Sequence, residues 1–123
     1  SPEGEARAME LAEILDEIPL QAVFSTNFNR TLQTAQPCAD DQGLSTTIYD
    51  PFNLDPFVDD ALEDYLEGTI LVVGHSNTTA DLLNTLIGSN IYADFPEDTY
   101  NNFFVVNVFE KGRANVVHLK YGE

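Results

Sequence analysis

Apolar positions along this chain alternate between helical stripes and short continuous runs. Ala8, Leu11, Ala12, Leu15 and Ile18 recur at helical spacing behind Ser1-Pro2-Glu3, where a serine can cap and a proline can fill the first turn. Pro19 stops that helix. Ala22-Val23-Phe24 predicts a short buried strand, and Ser25-Thr26-Asn27 a polar turn. A second helix follows, with Leu32, Ala35 and Ala39 on one face. Pro37 is expected to kink or split it, because an interior proline costs ~3 kcal/mol. Gly43 ends the segment. Thr46 to Tyr49 predicts a third strand and Asp50 to Leu54 a loop. Asp55-Pro56 caps a helix with Val58, Ala61, Leu62 and Tyr65 on one face.

The stretch Thr69 to Leu83 organises the rest. Ile70 to Val73 is a β-branched and aliphatic run, short enough for a strand buried on both faces. Gly74 lets the backbone turn sharply. Ser76 or Asn77 can cap a helix striped by Thr79, Leu82, Leu83, Leu86 and Ile87, which leaves Asp81 and Asn84 solvated. Gly88 stands where a helix C-terminal glycine belongs. An irregular acidic loop runs to Asn102. Phe103 to Phe109 and Ala114 to Leu119 then flank Lys111-Gly112 as a β-hairpin.

Helices and strands in alternation predict an α/β fold: three layers, α/β/α, with a mostly parallel sheet and a C-terminal antiparallel hairpin. Residues 1–123 suffice for a single domain with one core. The chain opens on a helix, where this architecture usually opens on a strand.

Charge narrows the partners. The net charge is −16, from 21 acids and 5 bases. Nucleic-acid binding is excluded as a function class, since phosphate backbones need a basic face. No apolar run approaches the ~20 residues of a membrane span, so no membrane partner is expected. The compartment is left open by the sequence. The single Cys38 forbids an internal disulfide, offers no metal-ligand spacing and reads as a small packed residue. Neither a metal nor a cofactor is indicated.

Against so acidic a background a lone cation carries information, and Arg30 is the only base between Met9 and Glu110. It follows the strand Ala22 to Phe24 and falls in the first turn of the next helix. A cation is disfavoured at a helix N-terminus, so its placement there favours a bound anion, which a guanidinium grips with two parallel hydrogen bonds. His75 likewise follows a buried strand at a glycine turn. Ligands bind at the carboxyl ends of strands in such sheets, and a helix N-terminus there supplies N–H groups for an anion. Gly74-His75-Ser76-Asn77-Thr78 also nearly matches the hydrolase elbow Gly-x-Ser-x-Gly. Thr78 replaces the last glycine, however, and His118 is the only histidine that follows.

Ser25-Thr26-Asn27-Phe28-Asn29-Arg30-Thr31-Leu32-Gln33-Thr34-Ala35 resembles the Ser-x-x-x-x-Arg-[Thr/Ala]-x-Gln-Thr-Ala motif of the histidine phosphatase superfamily, also called phosphoglycerate-mutase-like. Val72 to Thr78 is similar to that family's second histidine motif, and Ser1 to Ala8 to its helix start. The motifs stand in family order across nearly the whole chain. The resemblance implies transfer or hydrolysis of a phosphoryl group through a phosphohistidine, on a small phosphorylated substrate or a phosphoprotein, with no metal. It implies that Arg30, His75 and Ser76 bind the phosphate. His75 would also stabilise the transition state, and Asp50, with Asp55 next, would protonate the leaving oxygen. The loops Asp50 to Asp59 and Tyr92 to Asn102 would form the lid; neither offers a cationic dock for a polyphosphorylated substrate.

One family motif has no match. The nucleophilic histidine belongs to an Arg-His-[Gly/Ala] motif at the end of a first strand, ahead of the opening helix, whereas the histidines here are His75 and His118. The resemblance therefore implies a first strand that is absent from this chain and that would lie beside Thr69 to Val73. Retention of Arg30 and His75 favours an omitted upstream segment over a decayed homologue. Two other functions stay open: a non-catalytic phosphate- or phosphoprotein-binding module of the same fold, and a serine hydrolase using Ser76.

Overall fold

Ser1 opens the first helix as expected: its Oγ accepts from Gly4 N at 3.1 Å, and α1 runs Pro2–Ile14. The computed structural model describes residues 1–96 and 101–122. Ala8 and Leu11 are the buried face of α1. After it come β1 (Ala22–Ser25), α2 (Asn29–Asp41), β2 (Thr46–Ile48), α3 (Leu54–Asp64), β3 (Ile70–Val73), α4 (Ser76–Ile87), β4 (Asn102–Glu110) and β5 (Arg113–Lys120).

The strands β2-β1-β3 make a parallel three-stranded sheet in that order. Val23 pairs with Thr46 on one side and Leu71 on the other. Side chains alternate across the sheet, as the pleat requires. Val23 packs with Leu20, Ala35 and Ala39, joined by Leu71 and Val73, on the α2 side. Phe24 points the other way, with its ring 5.1 Å from Phe57 and 5.9 Å from Tyr65. Helices therefore cover both faces, and the three-layer α/β reading holds. A second cluster of Leu11, Cys38 and Tyr121 takes in Leu71 and Phe103, and so ties β3 to the hairpin through side chains.

Five local expectations need correction. Pro37 does not split α2, which is continuous across it. The lost backbone bond is offset by burial of Ala35, Cys38 and Ala39 on either side. The start of α3 is capped at Asn53, with Asp55 already inside the helix. The strand β3 is half-buried throughout. It ends the sheet, and among the described residues its outer edge has no strand partner, so its side chains lack neighbours on that flank. The burial of α4 is wider than the expected stripe, with Thr78, Ala80 and Leu83 innermost. Asn84 is not solvated: its side chain donates to Tyr92 O and accepts from Tyr92 N, both at 2.9 Å.

The hairpin β4–β5 is antiparallel, with Val105 opposite Val117, and forms a separate sheet. Its turn clasps two helices. Gly112 N donates to Leu86 O at 3.0 Å, and Lys111 Nζ lies 3.0 Å from Asp55 and 3.1 Å from Asp59. Gly88 closes α4 in the left-handed region at φ 73°, and a Cβ there would stand 2.9 Å from Gly112 Cα. Of the expected second lid, Tyr92 and Phe95 pack against Phe104 of β4 (6.1 and 5.3 Å between rings). Residues 97–100 of that lid lie outside the described residues.

Candidate functional site

Parallel strands deliver their following loops to one edge of the sheet, so the turns after β1, β2 and β3 emerge together. The turn after β1 is held by buried hydroxyls. Ser25 and Thr26 are fully buried; Ser25 Oγ donates to Thr26 O at 2.8 Å. Thr26 Oγ1 lies 2.9 Å from Thr31 Oγ1, which in turn reaches Thr26 O at 2.9 Å and Phe28 O at 3.0 Å. Thr26 N donates to Val73 O at 3.1 Å, which links this turn to the end of β3. Satisfied buried polar networks of this kind fix one backbone arrangement. What they hold in place is Phe28-Asn29-Arg30 at the start of α2.

Across from it, His75 itself is the N-cap residue of α4, in extended backbone at φ −93° and ψ 177°. Ser76 is the first helical residue, one position on from its expected role as a cap. Thr78 ties the turn: its Oγ1 accepts from His75 N at 2.7 Å and lies 3.2 Å from His75 O. Gly74 is required for close approach, not for an unusual φ. A Cβ there would meet Thr78 Oγ1 at 2.6 Å and Tyr49 Oη at 3.0 Å.

Arg30 and His75 come together although they are far apart in sequence. Burial lowers the His75 pKa first, and the nearby Arg30 guanidinium lowers it further. Both effects favour the neutral form of the imidazole. Its Nε2 is buried and has no hydrogen-bond partner among the described residues. A buried polar atom left unpaired costs ~1–3 kcal/mol, a cost that an arriving ligand atom can remove. The N-terminus of α2 has no side-chain hydrogen bond capping it, whereas that of α4 is closed by a capping box between His75 and Thr78. Two positive helix ends face the same place as Arg30. A neutral imidazole, a guanidinium and free amide groups together suit a tetrahedral oxyanion.

Asp50 is exposed, two residues beyond β2, and its Oδ1 accepts from Phe52 N at 2.9 Å. With β1 between β2 and β3, it leaves the sheet about 10 Å from the His75 turn, two strand spacings away. Asp55 is committed to Lys111. Among the described residues Ser76 makes no side-chain contact that prepares it as a nucleophile, and His118 is occupied elsewhere: its Nε2 lies 2.8 Å from Asn102 Oδ1 and its ring stacks on Phe104. Cys38 is buried, with its thiol pushed up to about 11, chiefly by burial. Such a thiol is inert. Among the described residues no group of three His, Cys, Asp or Glu side chains could hold a metal.

Two residues escaped the sequence reading. Phe28 packs its ring edge-on to His75, 4.6 Å away at 80°. Tyr49 is buried behind the turn, stacked on Phe57 at 4.5 Å. Its phenol is pushed up to about 12 by burial, partly countered by the neighbouring Thr78 hydroxyl, and no well-aligned hydrogen bond completes it. The signal available for both was position alone: aromatic side chains just past strand ends that carry ligands.

A separate groove lies elsewhere. About 790 Å³ in volume, it runs past the far end of α4 between Phe52, Asp55, Asp81, Asn84 and Lys111, and it includes neither Arg30 nor His75. Its carboxylates suit no phosphate.

The histidine phosphatase superfamily (branch 1) family model matches residues 1–53. The chain resembles that superfamily in sequence and in fold. By structure, it is similar to a mycobacterial glucosyl-3-phosphoglycerate phosphatase bound to inorganic phosphate. The TM-score is 0.75 at 13% identity, covering 99% of this chain and 87% of that one. The vanadate-type (VO3) complex of the same phosphatase gives 0.73 at 14% identity, over 94% and 84% of the two chains. Phosphoglycerate mutase from Plasmodium falciparum gives 0.56 at 16%, over 98% and 81%. No curated protein matches by sequence. The fold is phosphoglycerate-mutase-like, as the motif order implied. Among the described residues no helix is long and apolar enough to cross a membrane.

Proposed function

We propose that this chain is the phosphate-binding body of a histidine-phosphatase-type phosphohydrolase, acting on a small phosphomonoester or a phosphoprotein through a phosphohistidine. The observation that carries the reading is the buried, unpartnered Nε2 of His75 beside Arg30. In the reaction a histidine nitrogen attacks phosphorus and the ester P–O bond breaks. The leaving oxygen takes a proton from an acid. Water then attacks the phosphohistidine and releases inorganic phosphate. Arg30 and His75 hold the equatorial oxygens and stabilise the charge that builds on them, with Ser76 lining the site. Asp50 is the proposed acid, since Asp55 is held by Lys111. No metal or cofactor is invoked.

His75 and His118 are the two histidines of this sequence, and neither is assigned as the nucleophile. That group is proposed to come on a strand that pairs with the outer edge of β3. Without it the chain binds phosphate and does not turn over, which is the second reading. Both readings are tested by incubating the full-length protein with a radiolabelled phosphomonoester and quenching. Turnover with label on histidine supports the phosphohydrolase. Phosphate binding with neither turnover nor label leaves the binding module. Absence of phosphate binding refutes both.

A further inference from the structure

Phe28 occupies an N-cap position for which its side chain is chemically unsuited. It makes no capping hydrogen bond, and an apolar N-cap costs ~1 kcal/mol against Ser, Asp or Asn. It also leaves 52% of its surface exposed while keeping one edge on the His75 ring. A residue that breaks a local rule at a ligand-bearing edge, with no local compensation, marks function. The backbone under it is held in place, since Thr31 Oγ1 donates to Phe28 O at 3.0 Å beside the buried hydroxyl knot. The ring itself keeps an edge-on contact with His75, 4.6 Å between centroids, and presents its remaining surface to solvent.

We infer that Phe28 selects the organic part of the ester, favouring a flat, uncharged, aryl-type group. This rests on the phosphate site proposed above. A phosphate between Arg30 and His75 must carry its organic substituent out past one of the walls, and Phe28 is two residues from the first and in contact with the second. Its exposed ring surface can meet an aromatic substituent in offset or edge-to-face geometry. Charge points the same way. Arg30 is the only base between Met9 and Glu110, so a second anionic group on the ligand would meet a net acidic surface. The side chains of Asp50 and Phe52 at the same edge offer no cation either.

The test compares phenylphosphonate with methylphosphonate, which share the anion and differ only in the organic group. Their dissociation constants are measured by calorimetry on the full-length protein and on its Phe28→Leu and Phe28→Tyr variants. The wild-type preference for the phenyl compound should fall about 3- to 10-fold in Phe28→Leu, the range of one aromatic pair. Phe28→Tyr should keep it, and methylphosphonate affinity should stay within about two-fold throughout. An unchanged phenyl-to-methyl ratio in Phe28→Leu, or equal loss of both ligands, overturns the selectivity and leaves the phosphate site standing. Failure of both phosphonates to bind the wild type overturns the phosphate site itself, and the inference with it.

Discussion

Replacing Arg30 with alanine perturbs the site in two ways that can be read separately. The first is affinity. Arg30 supplies charge-assisted hydrogen bonds to the proposed oxyanion, and removing a bond of that kind costs about 1.5–3 kcal/mol. That corresponds to roughly 10- to 150-fold weaker binding of phosphate or vanadate. The second is the titration of His75. Burial and Arg30 both hold its pKa below 6.5. Loss of the guanidinium leaves burial alone, so the pKa rises but stays under its ordinary value. The linkage has a definite sign: the unfolded chain protonates His75 before the folded one does. Folded stability is therefore lost as pH falls through about 6.5 and is unaffected by this group well above it. In Arg30→Ala that loss becomes smaller. Both effects are followed by NMR, where His75 and His118 are the two imidazoles to assign. A bound anion should raise the His75 pKa in the wild type. An Arg30→Ala protein with unchanged phosphate affinity and an unchanged His75 titration would refute the pairing of these two residues.

Three further outcomes are expected. Gly74→Ala should destabilise the fold by about 1–3 kcal/mol in chemical denaturation, because its Cβ would press on the Thr78 hydroxyl that holds the His75 amide; a neutral effect would show that the turn can give. A serine-directed fluorophosphonate should not label Ser76; labelling that disappears in Ser76→Ala would favour the serine hydrolase. Residues 1–123 expressed alone should show no phosphomonoester turnover, because neither His75 nor His118 is assigned as the nucleophile; a cooperatively folded and active preparation would mean that one of these residues is the nucleophile.

The sequence carried the layers and the chain order well, and the site's geometry less well. Ser1, Gly88 and the Lys111-Gly112 turn behave as their chemistry dictates, because capping and tight turns are local. The pairing of Arg30 with His75 was legible because parallel strands bring their following loops to one edge. What was hidden depends on contacts between distant segments. Capping preference points to Ser76 or Asn77, but the Thr78 hydroxyl ties back to the amide of His75 and moves the cap one residue earlier. Asn84 looks solvated on a helical wheel until Tyr92 folds over it. Ile70 to Val73 reads as a fully buried strand, and its half-exposure reflects an edge without a strand partner among the described residues. Tyr49 and Phe28 gain meaning only from Thr78 and His75, which no periodicity connects to them.

The most direct test is a crystal structure of the full-length protein soaked in vanadate. The oxyanion is expected within hydrogen-bonding distance of both the Arg30 guanidinium and His75 Nε2, at the carboxyl edge of the sheet. Vanadate bound in the groove between Asp55, Asp81 and Lys111, or no ordered vanadate near His75 at saturating concentration, would contradict the assignment of Arg30 and His75 as the phosphate site.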